Sequence, residues 1–173
     1  MSKRAGADEA YVAYVAARRR HLLATAYLLC GDWHRAEDLV QTTLVKLYQA
    51  WPRVRHKGRV EAYVRTVLLR AGIDAKRRAW NRERTVERMP ELPAPASGDV
   101  EDRDEIVAAL ATLPARQRAT IVLRFWLDLS VDETAAELGV SSGTVKSQTA
   151  KALTSLRDQL GIEVATSQGE DHV

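Results

Sequence analysis

Residues 129–139 read LSVDETAAELG and residues 140–153 read VSSGTVKSQTAKAL. Ser130 followed three places on by Glu133 is a capping box, in which each side chain satisfies a backbone donor of the other residue. It predicts a short helix over 131–138, with Val131, Ala135 and Leu138 on one face. Gly139 suits the left-handed position that ends such a helix, and Ser141 can cap a second one. In that second helix Val145, Thr149, Ala152 and Leu156 form one stripe, with Leu153 at its edge. The opposite face carries Gly143, Thr144, Lys146, Ser147, Ala150, Lys151 and Thr154, all small, hydroxylated or basic. Two short helices with a tight turn and such an outer face fit a helix-turn-helix. An ordinary helical hairpin with a solvated face would share most of these features.

Outward from this window the periodic stretches all read as helix. Tyr11, Tyr14, Val15, Leu22, Ala26 and Leu29 recur at helical spacing and predict a helix over about 8–29. Asp32 can cap a second, over 33–50, with Ala36, Leu39, Val40, Thr43 and Leu47 inward. Pro52 predicts its end at Trp51, because a residue before proline is pushed out of helical geometry. PRVRHKGR, residues 52–59, is then a polar connector to a third helix over 60–80, with Tyr63, Val67 and Ala71 inward. Residues 85–103 hold three of the five prolines and no apolar period, which predicts an extended linker. Helices near 104–112 and 114–128 precede the helix-turn-helix, which ends near Leu160, and residues 161–173 are expected to be disordered. No strand-like alternation occurs. The expected fold is all-α: two small helical domains (1–84 and 104–160) joined by a flexible linker, the second ending in a helix-turn-helix.

Composition narrows the function. Net charge is +3, but residues 1–84 hold 18 Lys/Arg against 8 Asp/Glu, a net of +10, while residues 85–105 are net acidic. The basic half is therefore not the helix-turn-helix half, and a DNA partner would be attracted largely through the N-terminal part. No apolar run approaches the eighteen or so residues that cross a membrane, and the N-terminus lacks the apolar core of a secretory signal. Cys30 is the only cysteine, so no internal disulfide forms and a reduced, cytoplasmic setting is expected. Cys30 and His34 supply two metal ligands at best, too few for a structural zinc site. Neither a Ser/His/Asp grouping nor a glycine-rich phosphate loop is present, so no catalytic residue and no cofactor is implied. Trp33, Trp51 and Trp126 lie beside helical stripes as expected core, whereas Trp80 sits in the basic run KRRAWNRER. An aromatic among cations can serve nucleic acid by stacking and phosphate contact.

The stretch AEDLVQTTLVKLYQAW, residues 36–51, resembles the second region of bacterial sigma factors of the small extracytoplasmic-function group. EAYVRTVLLRAGIDAKRRAWNRER is similar to the promoter-melting and minus-ten segment of that family. LPARQRATIVLRFWLDLSVDETAAELGVSSGTVKSQTAKALTSLR is similar to its minus-thirty-five domain. The three segments stand in the family's order and cover nearly all of residues 8–160. The resemblance implies an alternative sigma factor, not an enzyme, whose partners are core RNA polymerase and promoter DNA, with an anti-sigma factor as a further candidate. It implies polymerase contact by Asp38, Leu39, Gln41 and Thr42, where Thr42 replaces an acidic residue common in the family. It implies minus-thirty-five contact by Thr144, Lys146, Ser147, Gln148 and Lys151, with Arg124 on a phosphate. For the minus-ten element it implies Arg55, His56, Lys57 and Arg59 in a base-receiving loop, with Lys76, Arg77, Arg78 and Trp80 beyond it. The competing reading is a stand-alone helix-turn-helix regulator, although no extra helix for dimerisation is visible.

Overall fold

The computed structural model of the chain describes residues 2–79 and 100–161, with side chains placed for 6–74 and 104–161. Seven α-helices make up the described residues: α1 (Ser2–Cys30), α2 (Trp33–His56), α3 (Val60–Ala79), α4 (Val100–Thr112), α5 (Ala115–Ile121), α6 (Val131–Leu138) and α7 (Ser142–Leu160). A π-helical turn over Val122–Trp126 continues α5. The predicted linker before Val100, the tail beyond Gly161 and Trp80 lie outside the described residues. Residues 100–103, expected in the linker, are the first turn of α4.

Helices α1, α2 and α3 form one bundle. The inner stripe of α2 is as the spacing predicts, with Ala36, Leu39, Val40, Thr43 and Leu47 all buried. Leu22, Ala26 and Leu29 of α1 pack against it. The end of α2 is not as predicted: the helix runs through Pro52 to His56. Trp51 and Val54 are buried there, and the Trp51 indole N–H donates to the Ala7 carbonyl at 2.9 Å. Burial of those two side chains outweighs the helix bond that proline forfeits. The connector shrinks to Lys57–Arg59. In α3 the buried side chains are Val64, Leu68 and Leu69, one position round from the expected Tyr63, Val67 and Ala71, which are half-buried. Close approach to α1 accounts for the rotation: a β-carbon on Gly72 would lie 3.3 Å from that of Leu29.

The second bundle is α4 to α7. Leu110, Leu113, Ile121 and Ala152 form its small core, with Leu153 and Leu156 against it. It does not stand apart from the first. Ala119, Val122, Leu123 and Leu129 share a continuous apolar core with Leu22, Leu29, Leu68 and Leu69. The two bundles, the two helical domains expected from the sequence, are packed together.

Candidate nucleic-acid and polymerase interface

In the helix-turn-helix the local chemistry is as the sequence predicts. Ser130 Oγ accepts from the Glu133 amide at 3.1 Å, and Glu133 Oε2 accepts from the Ser130 amide at 2.7 Å. Those bonds hold the Glu133 carboxyl below its usual range. Gly139 takes φ +64, and Ser141 Oγ caps α7 by accepting from the Thr144 amide at 3.1 Å. Ser142 Oγ donates to Asp132 Oδ1 at 2.6 Å and fixes α6 to α7 across the turn.

The predicted readers on α7 divide into two sets. Lys146, Ser147 and Lys151 are exposed. Thr144 is half-buried, its hydroxyl 2.9 Å from that of Ser141. Gln148 is half-buried too: its Oε1 lies 3.0 Å from Thr120 Oγ1, so its amide is engaged against α5. Arg124 is also committed, since its guanidinium donates to the Leu129 carbonyl and lies 6.0 Å from the Phe125 ring centre. It shapes the loop before α6, a role that a phosphate contact would have to displace.

On the first bundle, Asp38, Gln41 and Thr42 form an exposed strip along α2. Leu39, expected beside them, is buried at 7% exposure and contributes to the core instead. Val45 continues the strip one helical turn beyond Gln41 and is 58% exposed. The signal was present in the sequence: Val45 is an apolar residue off the inner stripe, seven places from Asp38. Next to the strip, the Tyr48 hydroxyl donates to Asp8 Oδ1 at 3.2 Å, and its ring meets Tyr11 edge-on.

Arg55, His56, Lys57 and Arg59 are all exposed around the turn between α2 and α3. Gly58 adopts φ +60, a conformation that side chains with a β-carbon resist. The Arg59 amide donates to the Val54 carbonyl at 3.1 Å and closes the turn. Arg55 and His56 are thus helical rather than on a loop. Lys76, Arg77 and Arg78 belong to α3, but their side chains lie outside the described residues. Beside the turn is a shallow groove of about 400 Å³ lined by Lys46, Gln49, Ala50, Arg53 and Tyr63. The sequence reading missed it because its residues come from two helices, one of which was expected to stop at Trp51.

Comparison with known proteins bears on this arrangement. Residues 14–82 match the family model for sigma-70 region 2, and residues 103–156 match that for sigma-70 region 4. An RNA polymerase sigma-E factor from Streptomyces coelicolor is 38% identical over 153 residues, covering 85% of this chain and 84% of the relative. The extracytoplasmic-function sigma factor ShbA from Streptomyces griseus is 33% identical over 72% of this chain and 71% of its own length. Among solved structures, the sigma factor RpoE from Bartonella quintana, crystallised with the anti-sigma factor NepR, superposes with a TM-score of 0.72 at 26% identity. That match covers 90% of this chain and 99% of RpoE. Region 2 and region 4, in this order and on these helices, place the chain among transcription initiation factors, and it belongs to the extracytoplasmic-function sigma factors of the sigma-70 family.

Proposed function

We propose that the chain docks on core RNA polymerase through the outer face of α2 and reads two promoter elements from its two bundles, acting in the cytoplasm. Asp38, Gln41, Thr42 and Val45 make the docking strip. Lys146, Ser147 and Lys151 on α7 face the minus-thirty-five element, with Thr144 at the edge, while Gln148 positions the helix. The basic turn Arg55–Arg59 attracts the minus-ten strand by its phosphates. The base itself enters the groove beside it, where Tyr63 offers a ring, Gln49 an amide, and Lys46 and Arg53 cations, the mixture that repays the cost of unstacking a base. Residues 1–84 and 104–160 are the two working units. The exposed polar strip on α2 together with separate basic faces on the two bundles carries this reading, and a dimeric repressor would have no use for it. An inhibitory anti-sigma protein is a further partner, in keeping with the complex in which the Bartonella sigma factor was solved.

Run-off transcription with purified core polymerase tests the assignment. Addition of this protein is expected to give promoter-specific transcripts, and Asp38→Ala with Gln41→Ala to weaken co-purification with core without changing helix content. Unaltered binding by the double variant would remove the docking strip from α2.

A further inference from the structure

Polar groups where the two bundles meet are set one against another. Arg118, 2% exposed, donates from Nε to the Leu110 carbonyl at 2.6 Å and from a terminal N–H to the Leu29 carbonyl at 2.8 Å. One guanidinium thereby closes the ends of α4 and α1. The Trp126 indole N–H donates to Thr25 Oγ1 at 2.9 Å. Thr66 Oγ1 donates to Glu137 Oε1 at 2.7 Å, and Arg65 pairs with the same carboxylate at 3.4 Å. Within the first bundle, Arg18 pairs with Glu61 at 3.0 Å.

Beside these contacts lies a cleft of about 320 Å³, a size at which small molecules bind to proteins. Its apolar lining includes Leu22, Val64 and Leu68, all of them buried. Trp126 lines it too and remains 38% exposed, with its ring stacked on His21 at 5.6 Å between centres. An apolar surface with an accessible indole is ready to hold a hydrocarbon body.

The charges of the lining cancel, with one exception. Arg18 is neutralised by Glu61, and Arg65 by Glu137. Burial, and after it the charge of Arg18, push the His21 imidazole below its usual value, so it is uncharged at neutral pH. Asp128 is left. It lines the cleft, it is exposed, and its carboxylate enters no hydrogen bond or ion pair among the described residues. Arg124, the nearest cation along the chain, is turned instead to the Leu129 carbonyl and the Phe125 ring.

A lone carboxylate attracts a cation, more strongly where apolar walls focus its field. The indole draws the same charge through its ring face, and the aliphatic side chains shelter a hydrocarbon from water. We propose that the cleft is a binding site for a small organic amine, with its ammonium at Asp128 and Trp126 and its hydrocarbon part against Leu22, Val64 and Leu68. One ammonium is the limit. A second would reach Glu61 or Glu137 only by displacing the arginine that each already holds, so a diamine gains nothing over a monoamine. An anion fares worse, because both arginines of the lining are taken. The site uses none of the residues assigned to promoter or polymerase, so the amine is a ligand in addition to those partners.

Titration calorimetry on the full-length protein tests this with phenethylamine, and with phenethyl alcohol as its uncharged counterpart of the same shape. The amine is expected to bind saturably at one site, about tenfold tighter than the alcohol. Asp128→Asn removes the charge at nearly constant size. It also suits the backbone, because φ is +54 at this position and Asn, like Asp, tolerates that conformation. The variant should bind the amine about tenfold more weakly than the parent and the alcohol equally well. Putrescine should bind no tighter than butylamine. Equal affinity of the parent for amine and alcohol would overturn the proposal, as would no saturable amine binding at millimolar concentration. So would an Asp128→Asn protein that holds the amine as tightly as the parent, and tighter binding of putrescine would overturn the single-ammonium site.

Discussion

Gly143 has no reason within the protein to be glycine. Its backbone is helical, and an added β-carbon would meet nothing nearer than Ser141 Oγ at 3.8 Å. Alanine there should stabilise α7 by about 0.5–1 kcal/mol, through lower chain entropy on folding. If the missing β-carbon instead admits a DNA backbone, Gly143→Ala should raise the melting temperature and weaken upstream promoter protection by the holoenzyme. Thermal melting and footprinting read the two effects separately. Gly31 contrasts with it: φ is +67, and a β-carbon would lie 3.3 Å from that of Ala111. Cys30, its neighbour, donates to the Asp32 carbonyl at 3.1 Å, and burial pushes its thiol up to about 11. Because only the thiolate reacts, the folded protein at pH 7.5 should resist iodoacetamide, while urea-unfolded protein should be alkylated readily. Mass spectrometry checks both.

Among the elements, those built from neighbours in sequence were legible. The capping box, the left-handed Gly139 and the apolar stripe of α7 lie within a few residues of one another, so α6 and α7 follow from local chemistry alone. Helix α2 shows where that logic ends. Pro52 is a correct local signal for a stop, and tertiary burial of Trp51 and Val54 overrides it. Leu39 was likewise placed in the core by periodicity and on the surface by family resemblance, and burial decides for the core. On α7 the resemblance treated as equals residues that the fold distinguishes. Gln148→Ala should therefore cost about 1 kcal/mol of stability, by removing the partner of Thr120. Lys151→Ala should leave stability unchanged and reduce the log–log salt slope of holoenzyme binding by about one. Urea titration and a salt series on both variants distinguish a positioning residue from a phosphate contact.

For the whole molecule, the docking of one bundle on the other was the feature least legible beforehand. Thr25 and Trp126 are 101 residues apart, and Leu29 and Arg118 are 89 apart. Each of these residues also has an ordinary local explanation, so no periodicity marks them as a pair. Composition marks the proline-rich acidic stretch between two helical units but says nothing of how those units meet. The shared core bears on unfolding: the parent protein should melt in a single calorimetric transition. Glu137→Lys should begin to resolve it into two, with the α4–α7 bundle melting first because its own core is small.

The guanidinium that closes the ends of α1 and α4 has a further consequence, in the exchange of amide hydrogens with solvent. Gly31 donates its amide to the Tyr27 carbonyl at 2.7 Å, beneath Ala111 and Arg118 of the other bundle. That amide belongs to the frayed last turn of a helix, where exchange is ordinarily fast. Here the turn is roofed over, so its amide meets solvent freely only when the bundles come apart. Its exchange rate in deuterated buffer then counts those excursions, residue by residue, in the unmodified protein.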